Sequence, residues 1–265
     1  MKKYLSYFKL RFNTTLEYRE AALAGIVTQF FWGIMEIMIF MAFYKSGVET
    51  DISLQDLVTL IWLRQAFYGI ASWSKDPEIS RMIEKGNIAY ELCRPVSIYW
   101  IWYFKTISSR LAATLLKFSP ILILASFLPS GYKLMPPESL LSFILFLITL
   151  SLSVFVVAGI LNLLYISFFY TISSKGSAAL FYAVASFFAG NQIPIALMPK
   201  ALQVFCYILP FGVIIDLPNR IWSGNINTQG ALVGIGIQLI WIFILIIVGN
   251  VLMNRSLKKV VVQGG

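Results

Sequence analysis

Six apolar stretches, at about 21–44, 54–74, 105–128, 138–170, 177–197 and 228–252, take up most of this chain of 265 residues. Roughly 20 apolar residues in helical form cross the hydrocarbon core of a bilayer. Backbone in lipid must satisfy its own polar groups, so each stretch predicts a helix rather than an open strand. Composition agrees: 58% of residues are hydrophobic and 12% charged, whereas soluble domains carry about a quarter charged residues. The expected fold class is an all-α integral membrane protein with six transmembrane helices, organised as a single transmembrane domain over 1–265. The stretch at 138–170 exceeds the length a bilayer needs, so 164–170 is expected to project on the cytosolic side.

Basic residues orient the spans. With six spans both termini share a side, and that side, with the 75–95 insert and the short loop at Lys175, holds 13 Lys and Arg against 4 opposite. Such an excess marks the cytosol, so both termini and the insert are expected there. The net charge of +9 is then a membrane-flanking feature, and nucleic acid is not expected as a partner. Cys93 and Cys206 fall on opposite sides, which excludes a disulfide within one chain. The first 20 residues lack a continuous apolar core and so do not resemble a cleaved signal. Tyr4, Phe8, Phe12 and Leu16 instead recur every four residues, which predicts an amphipathic helix over 1–20, either lying in the headgroup layer or leading into the first span.

The most informative polar stretch is KDPEISRMIEKGNIAYELCRP at 75–95. Asp76 suits an N-cap, Pro77 the first helical position and Glu78 the positive helix end. Ile79, Met82 and Ile83 make an apolar stripe, Arg81, Glu84 and Lys85 flank it, and Gly86 is a natural stop. So short a helix is not stable alone in water. Its stripe must rest on the chain's own bundle or on a partner protein.

The segment 190–225 is apolar, yet Pro194, Pro199, Pro210 and Pro218 divide it, and proline breaks helices by removing a backbone donor. Two short helices, about 199–208 and 213–222, are expected to dip back from the external side as a re-entrant hairpin. Broken backbone at that depth must be covered by protein or line a cavity. A seventh, kinked span would put the basic tail outside and is rejected. Asp216 and Arg220 stand at a spacing that allows a helical pair.

Catalytic patterns are missing. There is no histidine and no GxxxxGK[ST] phosphate loop, so the chain is not expected to be an enzyme or to hold a cofactor or metal of its own. Four ionisable residues lie inside apolar stretches: Glu36, Arg64, Arg110 and Lys117. Each costs about 2.5–3.5 kcal/mol at a helix centre, so each needs a partner or a wet niche. Glu36 and Arg64 lie midway along adjacent antiparallel spans and are expected to pair, as a polar spot on a transport path or as a structural tie. Arg110 and Lys117 share a helix face and could receive an anionic headgroup.

Six spans, the amphipathic start, the capped helix between spans two and three and the proline-broken hairpin between spans five and six resemble one family. It is the permease subunit of type-two ABC exporters, in its short six-span branch. The stretch IEKGNIAYELCRPVSIYW, with a glycine followed by Leu92-Cys93-Arg94-Pro95, carries the local likeness. The resemblance implies that the insert is a coupling helix, with Pro77, Ile79, Arg81, Met82, Ile83, Glu84 and Lys85 meeting a separate ABC ATPase. It implies two ATPase copies that bind ATP and Mg, and a second permease chain, identical or not. It also implies a bacterial or archaeal cell (inner) membrane and an export pathway between the two permeases. The small residues Ser173, Ser177, Ala178, Ala179, Ala183, Ala185 and Ser186 would let fifth spans approach closely. The hairpin with Pro194, Pro199, Pro210, Asp216, Pro218 and Arg220 would gate the exit or simply cap the bundle. An ATP-independent secondary transporter or channel is the alternative, and a non-transporting scaffold a third.

Overall fold

The computed structural model describes residues 2–47, 52–171 and 174–258. Met1, Ser173 and Lys259, used in the readings above, lie outside them. Among the described residues all regular structure is helical: α1 Lys2–Leu16, α2 Arg19–Lys45, α3 Leu54–Ala66, α4 Tyr68–Ala71, α5 Pro77–Glu84, α6 Ile88–Leu92, α7 Ile98–Leu115, α8 Phe118–Ser126, α9 Leu140–Ser167, α10 Ser174–Phe188, α11 Lys200–Ile208, α12 Gly212–Trp222 and α13 Thr228–Leu257. A single 3₁₀ turn at Ile195–Leu197 precedes α11.

Four of these pieces are long and apolar enough to cross a membrane: Glu20–Lys45, Ile98–Ser126, Leu140–Ser167 and Thr228–Leu257. The pair α11 and α12, bent by 110°, makes a fifth if taken as one broken span. The apolar stretches at 54–74 and 177–197 give shorter helices. The first is interrupted at Phe67 and continues only to Ala71. The second stops at Phe188, nine residues before the expected 197, because Gly190 turns the chain at φ +75° and Pro194 follows. Residues 189–194 therefore lie in the turn between α10 and the 3₁₀ turn at Ile195–Leu197. The third stretch starts earlier than the expected 105: α7 opens at Ile98, with Tyr99, Trp102 and Tyr103 buried. It breaks at Leu116–Lys117 because Pro120 lacks the amide that would bond to Leu116.

Two apolar cores hold the bundle. One joins α7, the later half of α9, α13 and the insert around Trp73, Tyr99, Trp102 and Tyr165. The other joins α2, α3, α8, the first half of α9 and the end of α12 around Trp62, Phe146 and Trp222. Outside them Leu23, Val27, Phe31, Trp32 and Ile39 of α2 and Leu232, Val233, Ile240, Phe243 and Ile247 of α13 stand exposed. Apolar surface on that scale requires lipid or protein cover. Helix α1 lies along α7: the Tyr4 ring stacks on Phe104 at 6.0 Å and its hydroxyl accepts from the Ser97 amide at 3.1 Å. At the end of α9, Leu164, Tyr165, Ile166 and Phe168 are buried in the core shared with the insert.

The two expected short helices are present as α11 and α12, bent by 110° at their break, and their covering is explicit. Every residue of α12 except Arg220 is buried. Pro218 cannot donate to the Ile214 carbonyl one turn earlier; Ser153 of α9 donates there instead, at 2.8 Å. Gln238 of α13, with no exposed surface, donates to the Val213 carbonyl at 2.7 Å. Two buried side chains thus seat the proline-bearing helix.

Candidate functional site

Glu36 and Arg64 form an ion pair. The second guanidinium nitrogen of Arg64 donates to the Gly190 carbonyl at 3.1 Å, and Gln65 donates to the other Glu36 oxygen at 3.3 Å. Arg64 is 5% exposed, and the pair ties α2, α3 and the turn after α10 at one point. The turn needs glycine there: a Cβ on Gly190 would lie 2.9 Å from Ile195 Cγ1. The pair borders a cavity of about 470 Å³ whose wall also carries Gln29, Gln65, Gln192, Trp32, Tyr68 and Tyr182. A neutralised ion pair, amides and aromatic rings suit a polar, largely uncharged solute.

The insert folds as its caps dictate. Asp76 accepts from the Glu78 and Ile79 amides at 2.8 and 3.1 Å, and Gly86 ends the turn at φ +71°. Its anchor was not legible: Lys105 of α7 reaches both Asp76 at 2.9 Å and Glu78 at 2.8 Å, and Arg11 of α1 reaches Glu78 at 2.7 Å. Burial raises the Glu78 pKa, but the hydrogen bonds from Arg11 and Lys105 outweigh it and hold the carboxylate below its ordinary range. The Tyr165 hydroxyl accepts from the Asp76 amide at 3.1 Å. Lys75 donates to Ser174 at 2.8 Å, and Ser174 also meets Glu84.

This anchoring corrects one expectation. Ile79 is 1% exposed and sits in the chain's own core, so it cannot enter a partner's groove. Met82 and Ile83 pack on that core but keep part of their surface. The outward face consists of Pro77, Arg81, Glu84 and Lys85, extended by Tyr90 and Leu92 of α6.

At the hairpin, the Tyr207 hydroxyl donates to Asp216 at 2.9 Å, and Arg220 stands 3.9 Å from the same carboxylate and 5.3 Å from the Tyr207 ring centre. The helical pair is therefore formed, with Tyr207 linking α11 to α12. Pro194 precedes the 3₁₀ turn, Pro199 stands just before α11, and Pro210 lies in the bend. Cys93 and Cys206 are both free.

Arg110 and Lys117 have separate neighbours. Arg110 donates to the Gly69 and Ser74 carbonyls at 3.3 and 2.7 Å. Lys117 lies where α7 breaks and packs its ammonium against Gly25 of α2, whose added Cβ would be 2.6 Å away. The small residues of α10 divide as well: Ala185 and Ser186 are buried within the chain, whereas Ala179 and Ala183 face outward beside Leu180 and Tyr182.

Long apolar helices, uncovered apolar faces and a buried ion pair on a polar cavity define an all-α multi-pass membrane protein. The sequence model of one family, ABC-2 family transporter protein, matches residues 25–264. The chain belongs to that family and is a transport permease. No curated protein matches it.

Proposed function

We propose that the chain is the membrane-spanning subunit of an ATP-driven exporter. It forms half of a substrate pathway and couples to a separate ATPase. The observation that carries this reading is the Glu36–Arg64 pair on the wall of the cavity of about 470 Å³. Fixing two opposite charges so deep is costly unless their place matters, and here they stand beside amides and rings able to hold a solute. The cavity is flanked by the exposed faces of α2 and α10, with Ala179 and Ala183 on the latter. A second permease chain meeting those faces closes the cavity into a path.

In this reading the stretches at 54–74 and 177–197 complete six spans, both termini are cytosolic, and the hairpin closes the external end. The ATPase, which binds ATP and Mg, docks on the outward face of α5 and α6, with Met82 and Ile83 at its edge. Motion passes through Lys105 and Arg11, which clamp the insert to α7 and α1. The reading is tested with a single reporter cysteine at Gln65 in a Cys93→Ser, Cys206→Ser background, in native membranes. An impermeant thiol reagent added from one side should label it at a rate that ATP changes at least severalfold. A rate indifferent to ATP from either side would remove the pathway assignment.

A further inference from the structure

We infer that the pocket between α1, residues 74–77 and α7 is a phosphate-recognition site, distinct from the cavity at Glu36. It encloses about 250 Å³, on the order of eight water volumes, a size that fits a headgroup and no large solute. Thr106, Ser109 and Arg110 line it from one face of α7; Thr15, Ser74 and Tyr165 contribute from the other elements.

The charges decide what it can hold. The one acid in the wall, Asp76, is already committed: one oxygen takes two α5 amides, and the other takes Lys105 at 2.9 Å. Arg110 is not neutralised. It uses two nitrogens on the Gly69 and Ser74 carbonyls and meets no carboxylate at ion-pair distance among the described residues. A guanidinium has five N–H groups, so donors remain, and its geometry matches phosphate oxygens. The second basic wall residue, Lys75, turns its ammonium to Ser174 at 2.8 Å, leaving Arg110 as the cation that faces a ligand. The hydroxyls of Thr106 and Ser109 stand on the same helix face.

Placement points the same way. The pocket lies where the apolar part of α4 gives way to the insert, so in the orientation proposed above it opens at the cytosolic headgroup layer. Basic pockets between helices at that level take anionic headgroups. The ligand is therefore a phosphate group, carried by an anionic phospholipid or by a soluble phosphate compound. Because Ser74 and Asp76 lead directly into α5, an occupied pocket would brace the insert against α1 and α7. The inference uses the membrane placement but not ATP coupling.

The test needs no transport. Purified full chain is examined by native mass spectrometry after equilibration with mixed phosphatidylglycerol and phosphatidylcholine. Wild type should retain phosphatidylglycerol preferentially, and Arg110→Gln should lower that preference about tenfold or more. Because Arg110 also holds backbone carbonyls, Ser109→Asp serves as a second variant: it leaves those bonds and places a carboxylate in the pocket. It should lose the lipid as well, while Lys117→Gln should keep it. Thermal stability in phosphatidylcholine vesicles with added inorganic phosphate separates the two sources. A rise that Ser109→Asp abolishes assigns a soluble phosphate; retention of phosphatidylglycerol without such a rise assigns the lipid. Equal retention by wild type, Arg110→Gln and Ser109→Asp would overturn the site. So would equal loss in all three variants, which would describe a diffuse basic rim, and so would indifference of wild type to both probes.

Discussion

Replacing Arg64 by leucine isolates the central ion pair. The substitution leaves Glu36 with only the long hydrogen bond from Gln65 at 3.3 Å and leaves the Gly190 carbonyl without its donor. Breaking a buried pair by removing one partner costs about 3–5 kcal/mol. The Glu36 side chain is 18% exposed and borders the cavity, so water can reach it, which places the expected loss at the lower end, about 3 kcal/mol. Roughly 1 kcal/mol of that belongs to the Gly190 carbonyl. Glu36→Gln keeps an acceptor but leaves Arg64, the more buried partner, without its counter-charge, and should cost a similar amount, about 3 kcal/mol. The double variant buries no lone charge, so its cost should fall below the sum of the single costs by about 1–2 kcal/mol. Unfolding in mixed micelles, followed by the fluorescence of the chain's 7 tryptophans, measures all four proteins. Costs that add to within about 0.5 kcal/mol would refute the coupling, and with it the claim that the two charges hold the cavity wall.

Other outcomes follow from single contacts. Ser153→Ala strands the Ile214 carbonyl, because Pro218 has no amide to offer it, and should cost about 1–2 kcal/mol in the same assay; adding Pro218→Ala restores a donor and should recover most of the loss. Glu78 has a folded pKa below its ordinary value, so its contribution is fully present above the ordinary carboxylate range and is lost as pH falls through the lowered value. Protection of the α5 amides, taken as observed exchange relative to the intrinsic rate at each pH, should therefore hold above the ordinary carboxylate range and fall as pH drops through the lowered value, whereas in Glu78→Gln it should already be weaker at neutral pH and change less on acidification.

Local chemistry made much of this fold legible. Pro199 and Pro210 bracket α11 almost to the residue, because each removes a donor whatever surrounds it, whereas Pro218 sits inside α12 and ends nothing. The Asp76 cap and the Gly86 stop are likewise local. The Glu36–Arg64 pair was readable because an ionisable group inside an apolar stretch must find company. What escaped was set by distant neighbours. Lys105 reads as a residue at the edge of a span until the fold carries it to Asp76 and Glu78. The stripe of Ile79, Met82 and Ile83 fits a partner's groove and the chain's own core equally well; only the position of Tyr165 and its neighbours shows Ile79 sealed inward. Ser153 and Gln238 resemble any other polar residue in a span until α12 presents the carbonyls they serve. The end of α10 was misplaced because the residues after Gly190 stay apolar through the turn.

An ATP-driven exporter requires an ATPase docked on the insert. The full chain, affinity-tagged and extracted from its native membrane in mild detergent, should bring with it an ATP-hydrolysing subunit. Ile83→Asp, at the edge of the outward face, should release that subunit while the permease stays folded and monodisperse; Cys93→Ser, also exposed on the insert, should not. Recovery of the chain without any ATP-hydrolysing partner, or an unchanged complex with Ile83→Asp, would contradict the assignment of α5 as the coupling element of an ATP-driven exporter.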